Sequence, residues 1–106
     1  MSPPTPGEVL RVLLDEEMEI TQNEFAAALG TTRYSVNQLV NDRRAVTADM
    51  ALRLARALST TPDFWLNLQR AVDLHRARQR LGRELAKVRV VRKGIAEEDL
   101  FDDIGG

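Results

Sequence analysis

Thr21-Gln-Asn-Glu-Phe-Ala-Ala-Ala-Leu-Gly30-Thr-Thr-Arg-Tyr-Ser-Val-Asn-Gln-Leu-Val-Asn-Asp-Arg-Arg-Ala-Val46 divides into two short helices around a glycine. Thr21 and Glu24 have the S/T-x-x-E spacing of a capping box, in which the threonine covers an orphan N–H and the glutamate reaches back. Ile20 and Phe25 occupy the flanking staple positions. Small Ala26 to Ala28 permit close helix approach, Leu29 ends the apolar face, and Gly30 suits a left-handed C-cap. Thr31 or Thr32 then caps a second helix whose inward residues are Val36, Leu39 and Val40. Its other face carries Arg33, Asn37 and Asn41 at i, i+4 and i+8, with Tyr34 and Gln38 beside them.

An ordinary bundle helix would show Glu and Lys on its solvated face. This one shows groups that read base edges: Asn and Gln bond adenine bidentately, and Arg bonds guanine. The pattern predicts a helix-turn-helix whose second helix enters the DNA major groove. Arg43 and Arg44 follow it directly, where phosphate clamping is the expected role.

Charge supports this reading. The chain is 106 residues long with a formal net charge of −1. Residues 1–19 carry five acids and one base, residues 20–93 carry fourteen bases and six acids, and residues 94–106 carry five acids and no base. A basic body between acidic ends fits a nucleic-acid binder that also meets a basic protein. There are no cysteines, which excludes disulfides, thiolate zinc sites and cysteine nucleophiles. His75 is the only histidine and has no partners at ligand spacing, so neither metal nor other cofactor is expected. The acidic pairs are sequence neighbours that do not face one another on a helix, and no catalytic constellation emerges. The chain lacks a long apolar run and a signal-like start, so the expectation is a cytoplasmic protein away from membranes.

The flanking segments supply a helical scaffold. A first helix is expected over about residues 7–17, with Leu10, Leu13 and Leu14 on one face. Thr47 caps a fourth through about Leu58, with Asp49 in its first turn and Leu52, Leu54, Ala55 and Leu58 apolar. Thr61, Pro62 and Asp63 suit the N-cap, N1 and N2 positions of a fifth, running to about residue 81. Its opening, FWLNLQRAVDL, is apolar almost all round, so it must be buried on more than one side. Phe64, Leu68, Ala71 and Val72 are assigned to the core. Trp65 is assigned to the core or to a dimer contact, and Trp65, Leu66 and Gln69 form the expected dimer interface. The segment RELAKVRVV fits a helix or a strand equally well. In the acidic end, Leu100, Phe101 and Ile104 would share one side of a helical turn, and the tail has a basic partner, the chain's own body or solvent as alternatives.

The quoted run, together with PGEVLR, VNQLVNDRRAVTADMALRLARAL and TTPDFWLNLQRAVDL, resembles the HigA antitoxins among the XRE-type helix-turn-helix repressors. The resemblance covers about residues 5–80, and Thr61 to Leu74 is its most specific part. It implies an all-α, five-helix, lambda-repressor-like domain over residues 1–81. The remaining residues, 82–106, form a C-terminal extension, acidic from 94. It further implies a homodimer on a palindromic double-stranded DNA operator in its own promoter, and a HigB-type ribonuclease toxin as partner. Carried over by position, Gln22 contacts phosphate. Thr32, Arg33, Ser35, Asn37 and Gln38 face bases or phosphates, and Asn41, Arg43 and Arg44 hold the backbone. Asp42 and Ser59 depart from the family by standing where glycines are usual, and Asp42 places a carboxylate beside the DNA-facing loop. A stand-alone phage-type or metabolic repressor is the alternative function.

Overall fold

The computed structural model describes residues 1–92, 94, 96–98 and 100. Among them the regular structure is helical throughout: α1 (Pro6–Arg11), a π-helical turn (Val12–Glu17), α2 (Gln22–Leu29), α3 (Arg33–Val40), α4 (Ala48–Leu58), α5 (Pro62–Leu81) and a single turn α6 (Arg83–Ala86). The first five helices build the domain. The undecided RELAKVRVV segment resolves into α6 followed by irregular chain. Phe101 and Ile104, paired with Leu100 in the sequence reading, lie outside the described residues.

The helix starts follow local chemistry. Thr21 makes the expected capping box with Glu24, while Thr32, Thr47 and Thr61 each accept a backbone N–H from the residue three positions on. Thr5 makes a second capping box with Glu8, which the sequence reading passed over. Gly30 ends α2 at φ 72°, the left-handed C-cap. Ser59 and Asp42, both at φ 56°, adopt the left-handed conformation without glycine.

The expected continuous first helix is corrected. After Arg11 the chain widens into a π turn, in which Met18 N–H donates to Leu13 O at 2.9 Å. The wider turn keeps Leu14 in the core beneath Leu10 and leaves Asp15, Glu16 and Glu17 in solvent.

The core is formed by Leu10 and Leu14, Phe25 and Leu29, Val36 and Leu39, Val46, Leu54 and Trp65, one or two from each element. In α4 the inward side is Ala51, Leu54 and Ala55; Leu52, expected among the apolar residues, is 59% exposed. A larger correction concerns α5. Trp65 is fully buried in its own subunit, and its indole Nε1–H donates to Thr60 Oγ1 at 2.7 Å. It is therefore no dimer contact. Leu66 also packs against the core. The Gln69 amide is committed within the chain, accepting from Val46 N–H at 2.9 Å and donating to Asp73 at 2.9 Å. Phe64, assigned to the core from sequence, is instead 42% exposed, and Ala71 is exposed too. The helix is thus rotated by about one residue from the expected face: Trp65 and Val72, one position on from Phe64 and Ala71, are the buried pair.

Candidate nucleic-acid interface

α2 and α3 are fixed by groups from elsewhere in the chain. The last carbonyls of any helix lack intrahelical partners. Arg53 of α4 satisfies those of α2, donating from Nη1 to Leu29 O at 2.7 Å and Gly30 O at 3.3 Å. Arg11 of α1 does the same for α3, donating from Nε to Val40 O at 3.2 Å and from Nη2 to Asn41 Oδ1 at 2.6 Å. Cations at helix C-termini are also favoured by the helix dipole. Sequence reasoning missed both residues; the one visible signal was Arg11 as a lone base among five acids.

Asp42 is tied down in the opposite direction. Its Oδ1 accepts from Gly7 N–H at 3.0 Å and its Oδ2 from Thr5 Oγ1–H at 2.6 Å. The carboxylate therefore caps the start of α1, and both oxygens are engaged inside the domain. Gly7 allows this approach: a Cβ there would meet Val40 O at 2.5 Å and Leu39 O at 2.8 Å. The first helix thus clamps the end of the third from both of its own ends.

On this frame, Arg33, Tyr34 and Asn37 stand exposed along α3, with Gln38 half-buried beside them. Thr32 caps the helix from an exposed position, its hydroxyl accepting from Ser35 N–H at 3.1 Å. Gln22, in the first turn of α2, accepts from Asn37 Nδ2–H at 3.4 Å. That contact aligns the two amides across α2 and α3 and leaves Asn37 Oδ1 and Gln22 Nε2 without a hydrogen-bond partner among the described residues. Asn41 is exposed but engaged, donating to Asn37 O at 2.9 Å while accepting from Arg11. Its position is held from both sides.

Ser35 departs from its expected role. It is only 8% exposed, and its Oγ accepts from Arg44 Nη1–H at 2.8 Å. Being turned inward, it acts by holding Arg44, whose guanidinium carbon also lies 6.0 Å from the centre of the Tyr34 ring. Arg43 and Arg44 are both exposed, and α3 contains no acid.

Two helices joined by a left-handed glycine, the second offering amides, a phenol and a guanidinium without carboxylates, define the helix-turn-helix class. The helix-turn-helix family profile matches residues 10–65. The antitoxin HigA-1 of Vibrio cholerae is 45% identical over 82 residues, covering 77% of each chain. The Escherichia coli protein YbaQ, an uncharacterized HTH-type transcriptional regulator, is 40% identical over 99 residues, covering 92% of this chain and 88% of that one. Among solved structures, the Pseudomonas aeruginosa antitoxin HigA with the higBA promoter superposes with a TM-score of 0.78 at 34% identity, over 85% of this chain and 99% of that one. The chain belongs to the HigA-type antitoxins, a family of helix-turn-helix regulators of transcription.

Proposed function

We propose that the protein is the antitoxin of a toxin–antitoxin pair, binding an operator in its own promoter as a dimer and neutralising a HigB-type ribonuclease. The observation that carries the DNA half is the acid-free, exposed array of Arg33, Tyr34 and Asn37, with Gln22 aligned to Asn37. Direct readout belongs to Arg33, Asn37 and Gln38, and phosphate contacts to Gln22, Thr32, Arg43 and Arg44. Tyr34 and Asn41 support the surface. The relatives' family supports the toxin half, which makes residues 1–81 the DNA-binding and dimerising unit and residues 82–106 an appended segment.

The dimer face moves with the corrected rotation of α5. Phe64, Ala71, Leu74 and Leu81 follow a 7-3-7 spacing along the exposed side, and all are solvent-facing or partly so in the single subunit. An apolar stripe at heptad spacing is the seam of a two-helix contact. A second copy across it pairs two recognition helices by a two-fold axis, so the operator is an inverted repeat with half-sites about 34–36 Å apart.

The test is a titration of the duplex upstream of the operon against a scrambled duplex at several salt concentrations. Asn37→Ala should relax preference at one operator position, costing about 1–3 kcal/mol. Arg43→Ala should weaken both duplexes alike and flatten the salt slope by about 0.9 for each phosphate no longer neutralised. Equal losses on both duplexes for Asn37→Ala would remove it from the base-reading set. YbaQ, known only as a regulator, keeps a toxin-free repressor as the second reading. Co-purification with the product of the neighbouring gene decides between them.

A further inference from the structure

The α5 helix has a third face besides the buried and the apolar one. Gln69, Asp73 and Arg76 lie at i, i+4 and i+7 and turn toward the loop that follows α3. Gln69 fixes that loop through its bond to Val46 N–H. Together with Pro6, loop and helix enclose a cleft of about 180 Å³ whose lining includes Arg43, Arg44 and Arg76, three arginines from two elements.

Two carboxylates share the cleft, and each is engaged. Asp42 is held by Thr5 and Gly7, and Asp73 Oδ1 accepts from Gln69 Nε2–H at 2.9 Å. Neither pairs with an arginine: the only ion pair within 4 Å among the described residues joins Lys87 to Glu84. Arg43 and Arg76 also make no side-chain hydrogen bond among the described residues, whereas Arg44 is oriented by Ser35. The lining carries three arginines against two carboxylates, a net positive charge that favours an anion. Arginine's planar fork matches phosphate oxygens.

We propose that Arg76 of α5 joins Arg43 and Arg44 in a single phosphate-binding cleft, so that the dimerising helix itself grips the DNA backbone. This rests on the DNA-binding reading above. The source of the phosphate is the duplex, because the cleft is walled by the loop leaving the recognition helix. Gln69 is then a positioning residue, holding the loop arginines against Arg76. The arrangement gives α5 two roles on two faces: one pairs the subunits, and the other engages the DNA backbone at the base of that pairing.

The experiment compares the full chain with Arg76→Ala, Arg76→Lys and Arg56→Ala on operator and scrambled duplexes at four salt concentrations, under conditions where sedimentation gives all four proteins the same oligomeric state. Arg56, exposed on α4 outside this cleft, controls for the removal of one charge. Arg76→Ala should lower the magnitude of the log–log salt slope by about 0.9 for each phosphate it releases, equally on both duplexes, because phosphate contacts carry no sequence information. Arg76→Lys should restore most of that slope, which a purely structural guanidinium would not allow. Arg56→Ala should leave it near the wild-type value. A wild-type slope for Arg76→Ala, a loss confined to the operator, or failure of lysine to rescue overturns the proposal while leaving the recognition helix intact. If the unmodified chain binds neither duplex, the DNA reading itself falls, and this phosphate cleft with it.

Discussion

Gly7→Ala sets two local rules against each other. On helix propensity alone, alanine should stabilise α1 by up to about 1 kcal/mol. Packing predicts the reverse. The added Cβ would lie 2.5 Å from Val40 O, 2.7 Å from Asp42 Oδ1 and 2.8 Å from Leu39 O. Ordinary contact begins near 3.4 Å, so the methyl is short by 0.6–0.9 Å against two backbone carbonyls that cannot rotate away. Either α1 retreats or the end of α3 does. Overpacking of this kind costs about 1–3 kcal/mol. Retreat also stretches the Gly7 N–H···Asp42 bond from 3.0 Å, and a hydrogen bond to a charged group contributes about 1.5–3 kcal/mol. Offsetting the propensity gain, the net expectation is a loss of about 1.5–5 kcal/mol. For a domain of this size each kcal/mol moves Tm by about 4–8 °C, so the melting temperature should fall by at least about 6 °C. Thermal and urea unfolding followed by circular dichroism would measure it. Operator affinity of the folded variant should fall as well, since the displaced segment is the end of the recognition helix. An unchanged or raised Tm would refute the clamp, because it would mean that α1 slides off α3 at no cost.

Further outcomes follow from the α5 faces and the chain's acidic end. Trp65→Ala should destabilise the protein by about 3–5 kcal/mol, and the drop in urea midpoint relative to the unaltered chain should be the same at every protein concentration, as befits a core residue; a drop that vanishes at high concentration would return Trp65 to an interface. Phe64→Asp combined with Leu74→Asp should give a monomer in sedimentation at micromolar concentration and reduce operator affinity, with little change in circular dichroism; an intact dimer would place the seam elsewhere. Deleting residues 94–106 removes five acids, so operator binding should tighten at low salt and converge with the full chain at high salt. Loss of co-purification with the neighbouring gene product in the same variant would assign the tail to the protein partner.

Short-range signals made most of the fold legible from sequence. Each of the threonine caps at 21, 32, 47 and 61 bonds a residue three positions away, and the glycine at 30 meets a local need for positive φ. Chemistry confined to one turn is written in adjacent letters. The exposed set on α3 was equally visible, because Val36, Leu39 and Val40 mark its inner side unambiguously. Tertiary structure alone decided the rest. An α5 opening that is apolar all round does not declare which face is inward; only the packed fold buries Trp65 and leaves Phe64 exposed. Ser35 is one more hydroxyl on α3 by its letter alone, and only the fold buries it and bonds it to Arg44. Asp42 looked like a repulsive charge beside DNA, and it is instead held by Thr5 and Gly7, 37 and 35 residues earlier. Pairings across that separation obey no period. They exist only once α1 has docked against α3 and brought a carboxylate, a hydroxyl and an N–H within hydrogen-bonding distance.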